Sequence, residues 1–163
     1  MRVSLKWREM RNVEVSSQQM KLKSAFDLGK TLSSNPELQS HWARYLCVLV
    51  SGFIENSVRL MYSDYVRSRA APEVCKYAER HLGLFRNPNM ESILQLTGSF
   101  SNQWREELVQ RTQGQIQDSV NSIVNNRHNI AHGRSVGVTL GTMLGWYENA
   151  LQLVGIIAEQ CER

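Results

Sequence analysis

Apolar residues recur at steps of three and four along two long stretches of this chain, which is the spacing of a helix with one buried face. Elsewhere, β-branched residues do not alternate with polar ones over any useful length, and proline occurs only three times. We therefore predict an all-α fold. The two apolar stripes consist of Trp42, Leu46, Leu49, Phe53, Leu60 and Tyr65, and of Leu140, Leu144, Tyr147, Leu151, Val154, Ala158 and Cys161.

Interruptions of this pattern divide the chain into separate helices. Thr139 is a suitable N-cap for the last helix, with Val138 and Met143 placed as a hydrophobic staple across that cap. We expect an antiparallel bundle of about four to six helices. The predicted helices cover residues 15 to 33, 37 to 69, 72 to 82, 91 to 97 as one or two turns, 101 to 133, and the segment after Thr139, with a loop at 83 to 89.

The length and composition are typical of one globular domain, because 163 residues with 42% hydrophobic side chains can bury a substantial core. We predict a single domain over residues 1 to 163. Residues 1 to 30 contain seven basic side chains and three acidic ones. This asymmetry divides the predicted domain into a basic N-terminal helical segment, residues 1 to 35, and a core bundle, residues 36 to 163.

Cysteine usage and the absence of long apolar runs favour a cytoplasmic protein. The three cysteines are odd in number and far apart, so we expect reduced structural thiols rather than a disulfide framework. No stretch approaches the roughly 18 uncharged apolar residues of a membrane span. Lys6, Arg8 and Glu9 stand where a signal peptide would need its apolar run.

A cluster of cationic and titratable side chains lies between two helices, in the segment NNRHNIAHGRS. It contains Arg127, His128, His132 and Arg134, whereas no acidic residue occurs between Asp118 and Glu148. A polyanion can approach such a segment without meeting a carboxylate that is close in sequence. The segment is therefore the best candidate for a functional site.

Arg127 and His132 are five residues apart, which places them about 140° apart around an ideal helix. We expect Gly133 to end the helix through a left-handed backbone conformation and to bring the imidazole back toward the guanidinium. An imidazole can transfer protons near neutral pH, and a guanidinium can bind two phosphate oxygens at once. Together they favour phosphate chemistry that needs no metal or other cofactor.

Three other interpretations of these residues remain. Arg127 can cap carbonyl groups at the end of a helix, as basic residues often do. His128 and His132 are four residues apart and can bind zinc from one helical face, but no third ligand is evident nearby, so we predict no metal site. Asn129 either orients the segment by hydrogen bonding or helps the helix end.

The run RHNIAHG, from Arg127 to Gly133, resembles the Arg-x4-6-His signature of the HEPN superfamily (higher eukaryotes and prokaryotes nucleotide-binding), and especially its bacterial RiboL-PSP-HEPN-like members. A polar residue usually follows the arginine in that signature, and His128 has this place here. The resemblance extends over residues 37 to 160. A long helix with an internal glutamate lies upstream, and a glycine-containing loop leads through VTL into a final amphipathic helix.

This resemblance implies a helical bundle that pairs as a symmetric homodimer, with two copies of the motif in one cleft. It also implies that Arg127 and His132 are catalytic, and it makes Glu55 on the earlier long helix a candidate for a further polar contribution. Glu55 is four residues before Arg59, so a partly exposed ion pair is the alternative.

The residues and the resemblance together predict a metal-independent endoribonuclease that cleaves RNA by attack of the RNA's own 2′-hydroxyl. The resemblance adds a toxin or phage-defence role and a cognate antitoxin or regulatory protein as a partner. The alternative is a non-catalytic HEPN-like module that binds RNA, a nucleotide or a partner protein. Besides the two catalytic residues, those expected to support the site or bind RNA are His128, Asn129, Glu55 and Arg134.

Overall fold

The computed structural model describes residues 12–163, and within this range the chain forms seven helices and no strand. The all-α prediction is therefore confirmed for the described residues. The helices are α1 (Val13–Lys30), α2 (Pro36–Arg67), α3 (Pro72–Leu82), α4 (Met90–Phe100), α5 (Asn102–Thr112), α6 (Gln115–Ala131) and α7 (Leu140–Cys161).

Short polar side chains begin most of these helices. Asn12, Asn35, Asn89, Ser101 and Thr139 each accept a hydrogen bond from a backbone N–H in the first turn of the helix that follows. Such caps satisfy amide groups that have no partner inside the helix. The predicted cap at Thr139 is thus confirmed, and both members of the predicted staple, Val138 and Met143, are buried.

The long helix α2 is the centre of the packing. It runs antiparallel to α1, since Asn12 donates to Asp64 and the Trp42 indole donates to the carbonyl of Ala25 at the other end. One cluster of buried apolar residues draws on all seven helices, with α2 and α7 supplying most of it.

Contacts of α7 with α2 and α6 show the relative directions of these three helices. The Tyr147 ring packs on Phe53 of α2, with 6.1 Å between centroids, and farther along both helices Tyr65 and Cys161 line one groove, so α7 runs parallel to α2. Residues 132 to 139 return the chain from α6 to α7, and Asn149 Nδ2 donates to Ser119 Oγ at 2.9 Å. Helix α6 is therefore antiparallel to both.

The expected number of helices, about four to six, is wrong for the described residues, which form seven. The predicted helix at 101 to 133 is divided at Gly114, which has φ +88° and cannot continue a right-handed helix. The one or two turns expected at 91 to 97 are the 11-residue helix α4.

Two further findings concern the basic N-terminal segment and the possibility of a membrane-spanning helix. The basic residues Arg2, Lys6, Arg8 and Arg11 of the N-terminal segment lie outside the described residues. Within residues 12–163, every helix is too short or too polar to cross a bilayer.

Candidate active site

The last turn of α6 ends in a defined C-terminal cap. His132 is the capping residue and Gly133 follows with φ +68°. The N–H of Gly133 donates to the carbonyl of Ile130 at 3.0 Å, and the N–H of Arg134 donates to the carbonyl of Asn129 at 2.9 Å. These two bonds form a Schellman motif, so the prediction that a left-handed Gly133 ends the helix near His132 is confirmed.

His128 and His132 lie on the same face of α6, with 4.4 Å between their ring centroids. Both side chains are exposed. Because His132 keeps a nearly helical backbone, with φ −94° and ψ 14°, its ring stays one turn beyond His128. The expected swing of His132 toward Arg127 is therefore not what the structure shows.

Arg127 is exposed and faces a different side of the helix. Its side chain has no hydrogen bond or ion pair with any of the described residues. It continues the stripe of Val120 and Ile123, which faces α2, and the turn that carries it packs on Cys47, whose thiol lies 3.4 Å from the carbonyl of Ile123. In one chain, Arg127 and His132 are consequently not brought together.

Arg134 is held beside the helix end by Asn129. The Arg134 guanidinium donates to Asn129 Oδ1 at 3.2 Å, in addition to the backbone bond between the same two residues. Through this contact, Asn129 orients the Arg134 side chain, in line with the orienting role that we expected for it. The exposed helix end thus presents two guanidinium groups and two imidazoles.

Glu55 lies elsewhere on α2. Its carboxylate faces Arg59 at 3.4 Å and Arg86 at 3.7 Å, and its side chain is 21% exposed. It is eight residues beyond Cys47, about 12 Å along the helix axis. Because α2 and α6 are antiparallel, this displacement leads away from Arg127. The structure therefore favours the ion-pair interpretation of Glu55 over the expected place beside Arg127.

Burial affects two thiols of the bundle, Cys47 beneath α6 and Cys161 at the C-terminal end of α7. Burial raises the pKa of Cys47 to about 11, against a smaller lowering effect of the Arg127 backbone N–H. Burial likewise raises the pKa of Cys161 to about 12. Both remain protonated at neutral pH, which makes them poor nucleophiles. Within residues 12–163, no three His, Cys, Asp or Glu side chains are grouped so that they could hold a metal ion.

A second set of polar residues on the same face of α6 was not predicted from the sequence. Asn121 and Asn125 precede His128 at steps of four and three, and both line a cleft between α4 and α6. In the sequence, their helical spacing relative to His128 indicates that they share its face of α6. The opposite wall of the cleft is formed by α4. The local sequence of α6 does not indicate that α4 packs there.

The comparisons with known proteins identify the family of the chain. The chain matches the family described as RiboL-PSP-HEPN over residues 14–163, which includes all of α2 to α7 and the segment from Arg127 to Arg134. No significant match was found among curated proteins or among solved structures. Because the family match covers nearly the entire chain, the protein belongs to the RiboL-PSP-HEPN family of the HEPN superfamily.

Proposed function

We propose that the protein is a metal-independent endoribonuclease whose active site is the C-terminal end of α6. The observation that carries this proposal is an exposed helix end with Arg127, His128, His132 and Arg134, at the position of the Arg-x4-6-His motif in a member of a family with this motif. HEPN domains often cleave RNA. No acidic residue follows Asp118 in α6 or in the loop before α7.

The residues suit the chemistry of RNA self-attack. An imidazole of His132 takes the proton of the ribose 2′-hydroxyl, and the 2′-oxygen attacks the adjacent phosphorus. The bond from phosphorus to the 5′-oxygen breaks, and that oxygen receives a proton from a second acid. The Arg127 guanidinium stabilises the negative charge on the equatorial phosphate oxygens. The products are a 2′,3′-cyclic phosphate and a 5′-hydroxyl.

A second copy of the chain resolves the separation of the two catalytic residues. Within one chain Arg127 continues the stripe of α6 that faces α2, whereas the His132 ring lies 4.4 Å from that of His128, so the two residues are on different sides of the helix. In a symmetric dimer through this helix end, Arg127 of one protomer can face His132 of the other. His128, whose ring centroid lies 4.4 Å from that of His132, then supplies the acid for the leaving 5′-oxygen.

A cleavage assay with a chelator tests the proposal. The purified protein should cut single-stranded RNA in excess EDTA and leave cyclic phosphate ends, while Arg127→Ala and His132→Ala should each lower the rate by at least about 100-fold. His81→Ala is a matched control, because His81 is also an exposed histidine in the last turn of a helix, α3. Full activity in either site variant would refute the assignment.

A non-catalytic function is the second candidate, since the structure shows no contact between Arg127 and His132 in one chain. In that case the cationic helix end binds RNA without cutting it, with an affinity that falls steeply as salt increases. Salt-dependent binding of intact RNA, with no cyclic phosphate product under any condition, would favour this candidate.

The biological role that we propose is that of a toxin or phage-defence effector neutralised by a cognate partner. This rests on family membership and on the proposed activity. Induced expression should arrest growth of a bacterial host, and His132→Ala should relieve the arrest at equal protein level. Arrest that persists in the variant would contradict a nuclease-based toxic role.

A further inference from the structure

A polar cleft lies beside the candidate active site, between α4 and α6. It has a volume of about 550 Å³, within the range of small-molecule sites. Five amide side chains line it, together with Arg105 and one carboxylate, Glu91. We call it the amide cleft, after its amide residues Asn89, Gln95, Gln117, Asn121 and Asn125.

The amide cleft and the imidazoles occupy one face of α6. Gln117, Asn121, Asn125, His128 and His132 follow one another at steps of four, four, three and four, which keeps them within about 80° around the axis. Asn125 precedes His128 by about 4.5 Å along the axis and Asn121 by about 10.5 Å. A ligand bound near the imidazoles is therefore within one nucleotide of the cleft.

The hydrogen-bonding groups of the cleft are largely available. Gln95, Gln117 and Asn125 make no side-chain hydrogen bond with the described residues. Asn121 is oriented instead, because its Oδ1 accepts a hydrogen bond of 2.9 Å from the backbone N–H of Met90. This bond directs the Asn121 NH₂ group away from Met90, and it ties α6 to the first turn of α4.

Arg105 reaches this region across a glycine. A Cβ at Gly98 would lie 2.9 Å from Arg105 Cδ, so the stem of Arg105 packs where a larger residue of α4 would stand. Arg105 has no ion-pair partner among the described residues. A cation on the rim suits a phosphate, and the amides suit the edges of a nucleobase, since each amide offers both donors and an acceptor.

We infer that the amide cleft is a nucleotide subsite, which holds a base of single-stranded RNA next to the phosphate bound at His128 and His132. Single-stranded RNA exposes the Watson–Crick edges that amides can read, whereas in a duplex these edges are paired. The inference rests on the proposed function for the identity of the RNA, but the cleft itself binds a nucleotide whether or not cleavage follows.

The test is nucleotide binding followed by NMR of the side-chain amide groups in ¹⁵N-labelled wild-type protein. Each of the four nucleoside 3′-monophosphates is titrated separately, and inorganic phosphate serves as the comparison ligand. We expect at least one nucleotide to shift the NH₂ signals of Asn125 and Gln117 in a saturable way, and phosphate alone to leave them unchanged. Asn125→Ala should weaken that binding by about fivefold or more.

Gln110→Ala is the matched control, because Gln110 is an exposed glutamine on α5 that does not line the cleft. A second variant, Gly98→Ala, displaces Arg105 and should weaken nucleotide binding while thermal stability is checked in parallel. Absence of nucleotide-specific shifts, or equal weakening by Gln110→Ala, overturns the subsite even if RNA is cleaved. Specific binding without RNA cleavage supports the subsite and refutes the nuclease proposal.

Discussion

Replacing Gly133 by alanine isolates the backbone geometry that ends α6. Gly133 has φ +68°, and a Cβ added there meets no heavy atom within 4 Å. The cost of Gly133→Ala is therefore conformational rather than steric, and a left-handed L-residue costs roughly 1 to 2 kcal/mol. For a protein of this size, 1 kcal/mol corresponds to a shift in melting temperature of about 2 to 4 °C.

We expect Gly133→Ala to lower the free energy of unfolding by about 1 to 2 kcal/mol in urea titrations. Gly137→Ala is the matched control in the same loop, because its Cβ also meets nothing within 4 Å and its φ is not positive. Gly133→Asn should lose less, since asparagine tolerates this conformation better. If Gly133→Ala were as stable as Gly137→Ala, the proposed role of the left-handed cap would be refuted.

Three further predictions address other parts of the molecule. Tyr62→Phe removes a buried hydroxyl 2.7 Å from Thr97 Oγ1 and should lower the free energy of unfolding by about 1 to 2 kcal/mol in urea titrations; an unchanged value would contradict a stabilising hydrogen bond. Cys47, whose pKa burial raises to about 11, should react with a thiol reagent only after denaturation, and rapid labelling of the folded protein would contradict its burial. The hydrogen bond from Arg163 holds the pKa of Glu107 below its ordinary value of 4.5, so its stabilising effect is present above that pH and is lost as the pH falls through the lowered value. Glu107→Gln should thus lower the melting temperature by about 1 to 3 °C at pH 7 and by less at pH 3, and an equal loss at both would refute this linkage.

Much of the fold could be predicted because its signals are local. The apolar stripe of α2, Pro72 at the start of α3 and the Thr139 cap each act within a few residues, and the structure has all three. The division at Gly114 was missed because a helix tolerates an isolated glycine in many sequences, and only the observed φ of +88° shows that this one ends a helix.

The candidate site was less predictable, because its geometry depends on neighbouring helices. The positions of Arg127 and His132 around α6 follow from the sequence, but the ring of His132 lies beside that of His128 instead of turning toward Arg127. Glu55 was misjudged for a similar reason. Its second cation, Arg86, lies 31 residues away in the chain, in the loop after α3.

Co-purified heterodimers of Arg127→Ala and His132→Ala, carrying different affinity tags, test most directly whether two chains build one RNA-cleaving site. Each variant alone lacks one catalytic group, whereas the heterodimer retains one Arg127 and one His132 on opposite protomers. The heterodimer should recover a measurable fraction of the wild-type cleavage rate in EDTA, while both homodimeric variants stay inactive. A heterodimer as inactive as either variant, beside an active wild-type protein, would contradict a site shared between two chains.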